Sequence, residues 1–107
     1  MAQSQKYLNY IDGHWAPAKT GKTFPNINPA NREEIIGLFP ESGPQDIDLA
    51  VQAAERAFQE WRLVPPPKRG EIILKAGLLL KERKEELARL MTKEMGKVLR
   101  ESRGDLQ

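Results

Sequence analysis

Cysteine is absent from these 107 residues. That excludes disulfides, cysteine-based zinc sites and a thiol nucleophile supplied by the chain itself. Histidine occurs once, as His14. It follows an Asp-Gly pair and reads as turn decoration, and Ser4, Ser42 and Ser102 have no partner histidine at a plausible place for nucleophilic catalysis. No His/Asp/Glu cluster has metal-ligand spacing. The eight glycines are scattered and form neither G-x-G-x-x-G nor a Walker loop. Nowhere do eighteen apolar residues run together, which excludes a membrane-spanning helix, and MAQSQKYLNY lacks the apolar core of a signal peptide. The expectation from these absences is a soluble, cytoplasmic protein. Excess charge of one sign is missing too: 17 Lys/Arg face 15 Asp/Glu, a net charge of +2. That balance argues against a nucleic-acid binder, and the mixed run KERKEE (81–86) reads as a solvated helix face.

What is present changes period along the chain. KYLNYIDGHWAP (6–17) places Asp12-Gly13 between two short extended pieces, 7–11 and 14–16. Asp-Gly suits a two-residue turn with positive φ at both central residues, which predicts a β-hairpin. Gly21-Lys22 is a second turn candidate. Pro25 and Pro29 keep 24–28 extended, a polar turn at 30–32 follows, and 34–39 reads as a strand. From Ser42 the spacing becomes helical. Ile47, Ala50, Val51, Ala54, Ala57, Phe58 and Trp61 make one apolar stripe, and Ser42 with Gln45 fits a capping box. On that stripe Phe58 and Trp61 read as core rather than as a base-stacking surface. The proline triplet at 65–67 ends this helix, and one long helix is expected over 67–95. Its buried side is marked by Ile72, Ile73, Ala76, Leu79, Leu80, Arg83, Leu87, Leu90 and Met91. Glu71–Lys75 and Lys81–Glu85 are expected i,i+4 pairs. Gly96 is the natural C-terminal cap, and Lys97 beside it favours the helix dipole.

Leu74 and Leu78 widen the apolar side of the long helix beyond what one partner would cover. The strands available are short and proline-interrupted, unlike the continuous runs of a buried parallel sheet. The segments expected are therefore strands and a hairpin over 1–40, a helix over 42–63, a helix over 67–95, and a further helix beginning in 98–107 while an amphipathic pattern still runs. This reads as a piece of something larger, only marginally stable by itself, partly helical and prone to associate.

The order of motifs carries a resemblance. YIDGHW, KTGKTFPNINPANREEIIG, DIDLAVQAAERAFQEW and KRGEIILKAGLLLKERKEELARLMTKEMGK occur in sequence. Over residues 7–107 this resembles the N-terminal segment of the NAD(P)-dependent aldehyde dehydrogenase superfamily. Family members show Y-I-x-G-x-W, F-x-x-x-N-P-A, D-V-x-x-A-V-x-x-A-x-x-A-F-x-x-W, R-x-x-I-L-x-x-x-A-x-L-L and E-x-x-x-E-L-A-x-L-x-x-x-E-x-G-K. The resemblance implies an α/β parent fold, of which this stretch is an N-terminal hairpin with short strands, two amphipathic helices and the start of a third. It also implies oxidation of an aldehyde to a carboxylic acid with NAD or NADP. A cysteine thiolate attacks, an asparagine and a backbone amide hold the oxyanion, and a glutamate activates water. In the family those groups all lie further along, so no catalytic or cofactor-binding residue is expected within 1–107, and the segment alone is expected to be inactive and cofactor-free.

One family feature lands inside the chain. Some members hold a monovalent cation on two backbone carbonyls of the N-P motif and an acidic side chain, and the matching positions are Asn26, Ile27 and Glu94. Oxygen donors of that kind suit a hard ion. The family's acid is commonly aspartate, and Glu94 also reads as an ordinary polar residue at a helix end. Two further departures are Met95, where Thr or Ser is common, and the turn NREEIIG, one residue longer than the usual T-G-E-V-I-G, as in branches handling semialdehydes. The partner implied is the remainder of the subunit, with no nucleic acid and no membrane. The alternative is a stand-alone, non-catalytic oligomerisation or interaction fragment that associates with itself, as a homo-oligomer, or with a full-length paralogue.

Overall fold

The computed structural model describes residues 4–107, which run as four strands and then four helices. The chain divides into two compact units: residues up to Asn26 with Ile35–Leu63, and Ile27–Glu34 with Val64–Gln107.

In the first unit, β1 (Asn9–Ile11) and β2 (His14–Ala16) pair antiparallel, with Tyr10 opposite Trp15 and Ile11 opposite His14. The turn between them has φ 54° at Asp12 and 76° at Gly13, as the Asp-Gly pair requires. His14 braces it by donating from Nδ1 to the Asp12 carbonyl at 2.7 Å. The first strand is shorter than expected because the chain before it is used elsewhere. Lys6 bridges Leu38 in parallel sense, Tyr7 donates its N–H to Leu38 O (2.8 Å), and Leu38 donates to Gln5 O (2.9 Å).

That detour follows from Tyr7, whose ring stacks on Phe39 at 4.7 Å with planes 10° apart. β3 (Thr23–Ile27) pairs with β4 (Ile35–Pro40), and Phe24 adds a tilted ring contact to Phe39 at 6.2 Å. Gly37 of β4 lies directly under the Tyr7 ring. A Cβ there would overlap the ring edge, with Cδ2 only 2.8 Å away, and crowd Gln5 O at 3.2 Å. The second turn lies two residues earlier than Gly21-Lys22, with Lys19-Thr20 at its centre: Gly21, at φ 71°, donates its N–H to Ala18 O (2.8 Å).

α1 (Pro44–Trp61) begins differently from the expected capping box. Gly43, not Ser42, is the N-cap, and Asp46 at the third helical position replaces Gln45. One Asp46 oxygen accepts the Gly43 N–H and the other the Lys19 N–H, both at 3.0 Å. Ser42 is taken by Asn9, whose side-chain amide donates to its hydroxyl at 2.8 Å. The physical reason is reach: Asp46 is buried and ties both the helix start and the 17–20 loop, which Gln45 on the outer side does not. Pro44 sits in the first turn, where its missing N–H costs nothing. The helix stops at Trp61, ahead of three prolines that supply no donor.

In the second unit, the single long helix expected over 67–95 is two helices, α2 (Pro66–Glu82) and α3 (Lys84–Met95). The break is Arg83, at φ −95° and ψ 15°. It is one residue wide, because Arg83 N–H still reaches Leu79 O and Leu87 N–H still reaches Arg83 O, each at 3.0 Å. At about 100° per residue, the packed side of α3 (Leu87, Ala88, Met91, Thr92) is rotated by roughly a quarter-turn from the main apolar side of α2.

α3 packs on α4 (Leu99–Asp105). Gly96 links them in the left-handed conformation (φ 77°) and donates its N–H to Thr92 O at 2.8 Å, as a cap glycine should. Ala88 and Ser102 are both fully buried, small residues that let the two helices approach closely. Ser102 and Thr92 join their hydroxyls at 2.8 Å.

Among the described residues the buried apolar core comprises only three alanines, Ala18, Ala53 and Ala88. The stripe expected to be core on α1 is open to solvent at Ile47, Val51 and Phe58, and α2 buries no residue at all. Ile72, Ile73, Leu74, Leu78, Leu79 and Leu80 are 50–65% exposed. The expected buried side exists as a pattern and lacks a cover.

Replacing Gly37 by Ala forces Tyr7 off its stack on Phe39 and is expected to cost about 1–3 kcal/mol, as overpacking does. Urea unfolding followed by far-UV circular dichroism measures it. Adding Tyr7→Ala should remove most of the extra penalty, and an additive double variant would show that the two do not meet.

Candidate functional site

Asn26 and Ile27 are the last two residues of β3, and Glu94 sits in the last turn of α3. Asn26 closes the first unit, while Ile27 and Glu94 belong to the second. Between Ile27 and Glu34 the N-P-A motif makes a tight loop, and Asn28 organises it. Asn28 is buried, its Oδ1 accepts the Ala30 N–H at 2.9 Å, and its Nδ2 donates to Glu34 Oε2 at 2.8 Å. The backbone closes the loop through Asn28 N–H to Glu34 O at 3.0 Å.

This loop is seated on the end of α3. Lys93 bonds Glu34 Oε1 at 2.9 Å, and a Cβ on Gly96 would stand 3.1 Å from Pro29 Cγ. Gly96 therefore serves twice, as a left-handed cap and as the flat floor under Pro29. Lys93 and Asn28 together hold the Glu34 carboxyl below its ordinary range. Sequence reasoning named Asn26, Ile27 and Glu94 but missed Asn28, Glu34 and Lys93. The signal available was the Asn before Pro, since Asn side chains commonly bond the amide two residues on.

Lys97, read as a helix-end lysine, pairs with Asp105 of α4. Glu85, expected to pair with Lys81, turns instead to Arg89 at 3.0 Å and, in a two-pronged contact, to Arg103 of α4 at 2.7 and 2.9 Å. A guanidinium fork matches both carboxylate oxygens, which a lysine cannot do. His14 is committed to its turn. Among the described residues, no group of three or more His, Cys, Asp or Glu side chains is arranged to hold a metal ion, and no helix is long and apolar enough to cross a membrane.

In the first unit, shallow grooves run beside the hairpin. One is lined by Tyr10, Ile11, Gly13, Ala50, Ala53 and Ala57, where the alanines of α1 let the strand approach. Another is lined by Asn9, Ser42, Asp46 and Ile47. Asp46 is committed there to two backbone amides, and Ser42 to Asn9. In neither groove does a nucleophile stand beside a base.

A hairpin, an Asn-Pro loop anchored by the buried Asn28 and helices with wide open faces together fit an α/β enzyme fold. Residues 15–107 match the aldehyde dehydrogenase family model, and the chain belongs to that family. It is 42% identical over 99 residues to the α-ketoglutarate semialdehyde dehydrogenase of Haloferax volcanii, covering 92% of this chain and 20% of that one. To the malonate-semialdehyde dehydrogenase of Listeria monocytogenes it is 44% identical over all 107 residues, covering 22% of the relative. The solved NAD-dependent aldehyde dehydrogenase of Sinorhizobium meliloti superposes with a TM-score of 0.91 at 30% identity, over 97% of this chain and 21% of that one. The chain thus spans about a fifth of the length of the relatives it matches. The α/β assignment and the N-terminal position expected from the motifs hold.

The brace between α3 and α4 has a pH dependence of known sign. Bonding to Arg103 lowers the Glu85 carboxyl from an ordinary 4.5 to about 2. On acidification the unfolded chain therefore takes up this proton first. The stabilisation is complete above about pH 4.5 and is lost as pH falls through about 2. A proton titration of Glu85 by NMR should show the lowered value in the native chain. Arg103→Ala should raise it toward the ordinary range, with Arg89 still holding it somewhat below, and a normal value in the native chain would contradict the brace.

Proposed function

We propose that this chain works as the N-terminal part of an NAD(P)-dependent aldehyde dehydrogenase whose substrate is an aldehyde that also carries a carboxylate. The observation that carries this reading is the match over 15–107 together with 42% and 44% identity to two semialdehyde dehydrogenases. The chain has no cysteine, so a thiolate nucleophile comes from outside these residues. Dinucleotide binding does not fit the residues present. The left-handed glycines, Gly13, Gly21 and Gly96, stand singly at turns and build no phosphate cradle, so no step of hydride transfer is assigned to them. The contribution of this segment is architectural: it supplies the strands, the Asn-Pro loop and helix faces on which the reacting parts rest. By itself it is not catalytic.

A monovalent cation at the Ile27 carbonyl and the Glu94 carboxylate, with Asn26 as the next carbonyl along the strand, belongs to the same proposal. Support comes from the hard oxygen donors and from the loop after Ile27 being fixed on the helix that carries Glu94. The second reading, a stand-alone fragment that associates with itself, is favoured by the exposed apolar residues of α2.

Two measurements decide. Residues 1–107 grafted in place of the matching segment of the Listeria relative should give an enzyme that reduces NAD or NADP with malonate semialdehyde, while the isolated chain gives no turnover above background. A soluble but inactive graft, or turnover by the isolated chain, contradicts the reading. In the graft, potassium should raise the melting temperature relative to tetramethylammonium at equal ionic strength, and Glu94→Ala should abolish the difference. Equal melting in the two salts removes the cation site.

A further inference from the structure

Asp12-Gly13 is the one Asp-Gly pair in the sequence, and there is no Asn-Gly. Its setting leaves it chemically open. Asp12 is the only non-glycine residue at positive φ among the described residues, at 54°. Its side chain is 69% exposed, and Arg56, itself 64% exposed, reaches one carboxylate oxygen only at 3.5 Å. An exposed pair of that length holds the carboxylate weakly. Gly13 carries no side chain to block approach to its nitrogen, and nothing lies within 4 Å of a Cβ built on it. The hairpin around the pair is a two-stranded sheet with three residue pairs. A hairpin of that size is only marginally stable in water, so the turn opens readily. His14 adds a feature that an ordinary turn lacks, because its Nδ1–H rests on the Asp12 main-chain carbonyl at 2.7 Å. That oxygen and the Gly13 nitrogen are the two ends of one conjugated amide. The contact joins residues two apart and does not depend on the strand ladder.

We propose that Asp12-Gly13 is a self-modification site, at which the Asp12 carboxyl group closes on the Gly13 nitrogen with help from His14 and converts to isoaspartate. The Gly13 nitrogen attacks Cγ of the protonated Asp12 carboxyl. An N–Cγ bond forms, and the proton of the nitrogen leaves with the carboxyl hydroxyl as water, giving a cyclic succinimide. Water then adds at the original main-chain carbonyl and breaks its bond to nitrogen. The chain now runs on through Cβ and Cγ, and the α-carboxylate is free. The water released in the first step is matched by the water consumed in the second, with no oxidation or reduction. His14 acts on the first step. As the nitrogen loses its proton, negative charge spreads to the Asp12 carbonyl oxygen, and a donor already in place there stabilises the nucleophilic form without rearrangement. The product carries an extra carbon in the main chain. The left-handed pair that the turn needs, Asp12 at 54° and Gly13 at 76°, is lost with it. The register of Tyr10 opposite Trp15 and Ile11 opposite His14 goes too. Nothing in this chemistry depends on the family to which the chain belongs.

The test is ageing. The 107-residue chain is held in warm neutral buffer for several weeks. Isoaspartate is then quantified by labelling with a protein isoaspartyl methyltransferase and located by electron-transfer fragmentation in the mass spectrometer. It is expected at residue 12 and at none of Asp46, Asp48 and Asp105, which precede Ile47, Leu49 and Leu106, side chains that hinder the approach. His14→Phe removes the donor and should slow formation by about tenfold, the size of one hydrogen bond to a developing charge. His14→Gln keeps an N–H donor and should stay within about threefold of the native chain. A variant hairpin that is merely loosened frees the pair and speeds the reaction, so slower formation reads the lost donor. A native or faster rate in His14→Phe would overturn the part given to His14. Aged chain without isoaspartate at residue 12 would overturn the site itself.

Discussion

A helix in water must cover its apolar arc, and α2 has more arc than this chain can cover. The organisation of the protein follows from that shortfall. Where the chain can satisfy itself it does so with small residues and polar clasps: alanines of α1 beside the hairpin, Asp46 across two backbone amides, and Ala88 against the α4 helix with Ser102. Where it would need large apolar partners, none is supplied among the described residues. Ile72, Leu74, Leu79 and their neighbours stay wet, at roughly 25 cal/mol for each Å² of apolar surface so exposed.

The polar clasps explain how an N-terminal segment with so little core still has defined geometry. Asn28 and Glu34 close the Asn-Pro loop, Lys93 ties it to α3, and the forked Glu85–Arg103 contact with the Thr92–Ser102 hydroxyl pair fixes α4 on α3. Hydrogen bonds and ion pairs are directional, so they set position even where they add little net stability. Such positional precision is the contribution we propose for this segment. The apolar faces then add the stability when they are covered.

Local chemistry was readable where one residue type forces one conformation. Asp12-Gly13 demanded a primed turn, Gly96 a left-handed cap, and the prolines at 65–67 a helix end, and each is found. The resemblance supplied the family. Features set by a distant partner were not readable. The break at Arg83 has no proline or glycine to announce it. Asp46 displaced Ser42 and Gln45 at the start of α1 because the 17–20 loop supplied it a second amide. Tyr7 left the hairpin because Phe39 offered a ring to stack on. At the candidate cation site, Asn26, Ile27 and Glu94 were named by analogy, while the Asn28–Glu34–Lys93 clasp lay beyond a reading of local pattern. Its members come from two segments far apart in the chain.

Amide hydrogen exchange measured along the whole chain tests the central claim most directly. In the isolated 107 residues, amides of 70–80 should exchange far faster than those of 86–92 and 102–105. In the grafted full-length enzyme the 70–80 amides should become at least as protected as the others. Equal, strong protection of 70–80 in the isolated monomer would mean that α2 needs no cover, and the account would be contradicted.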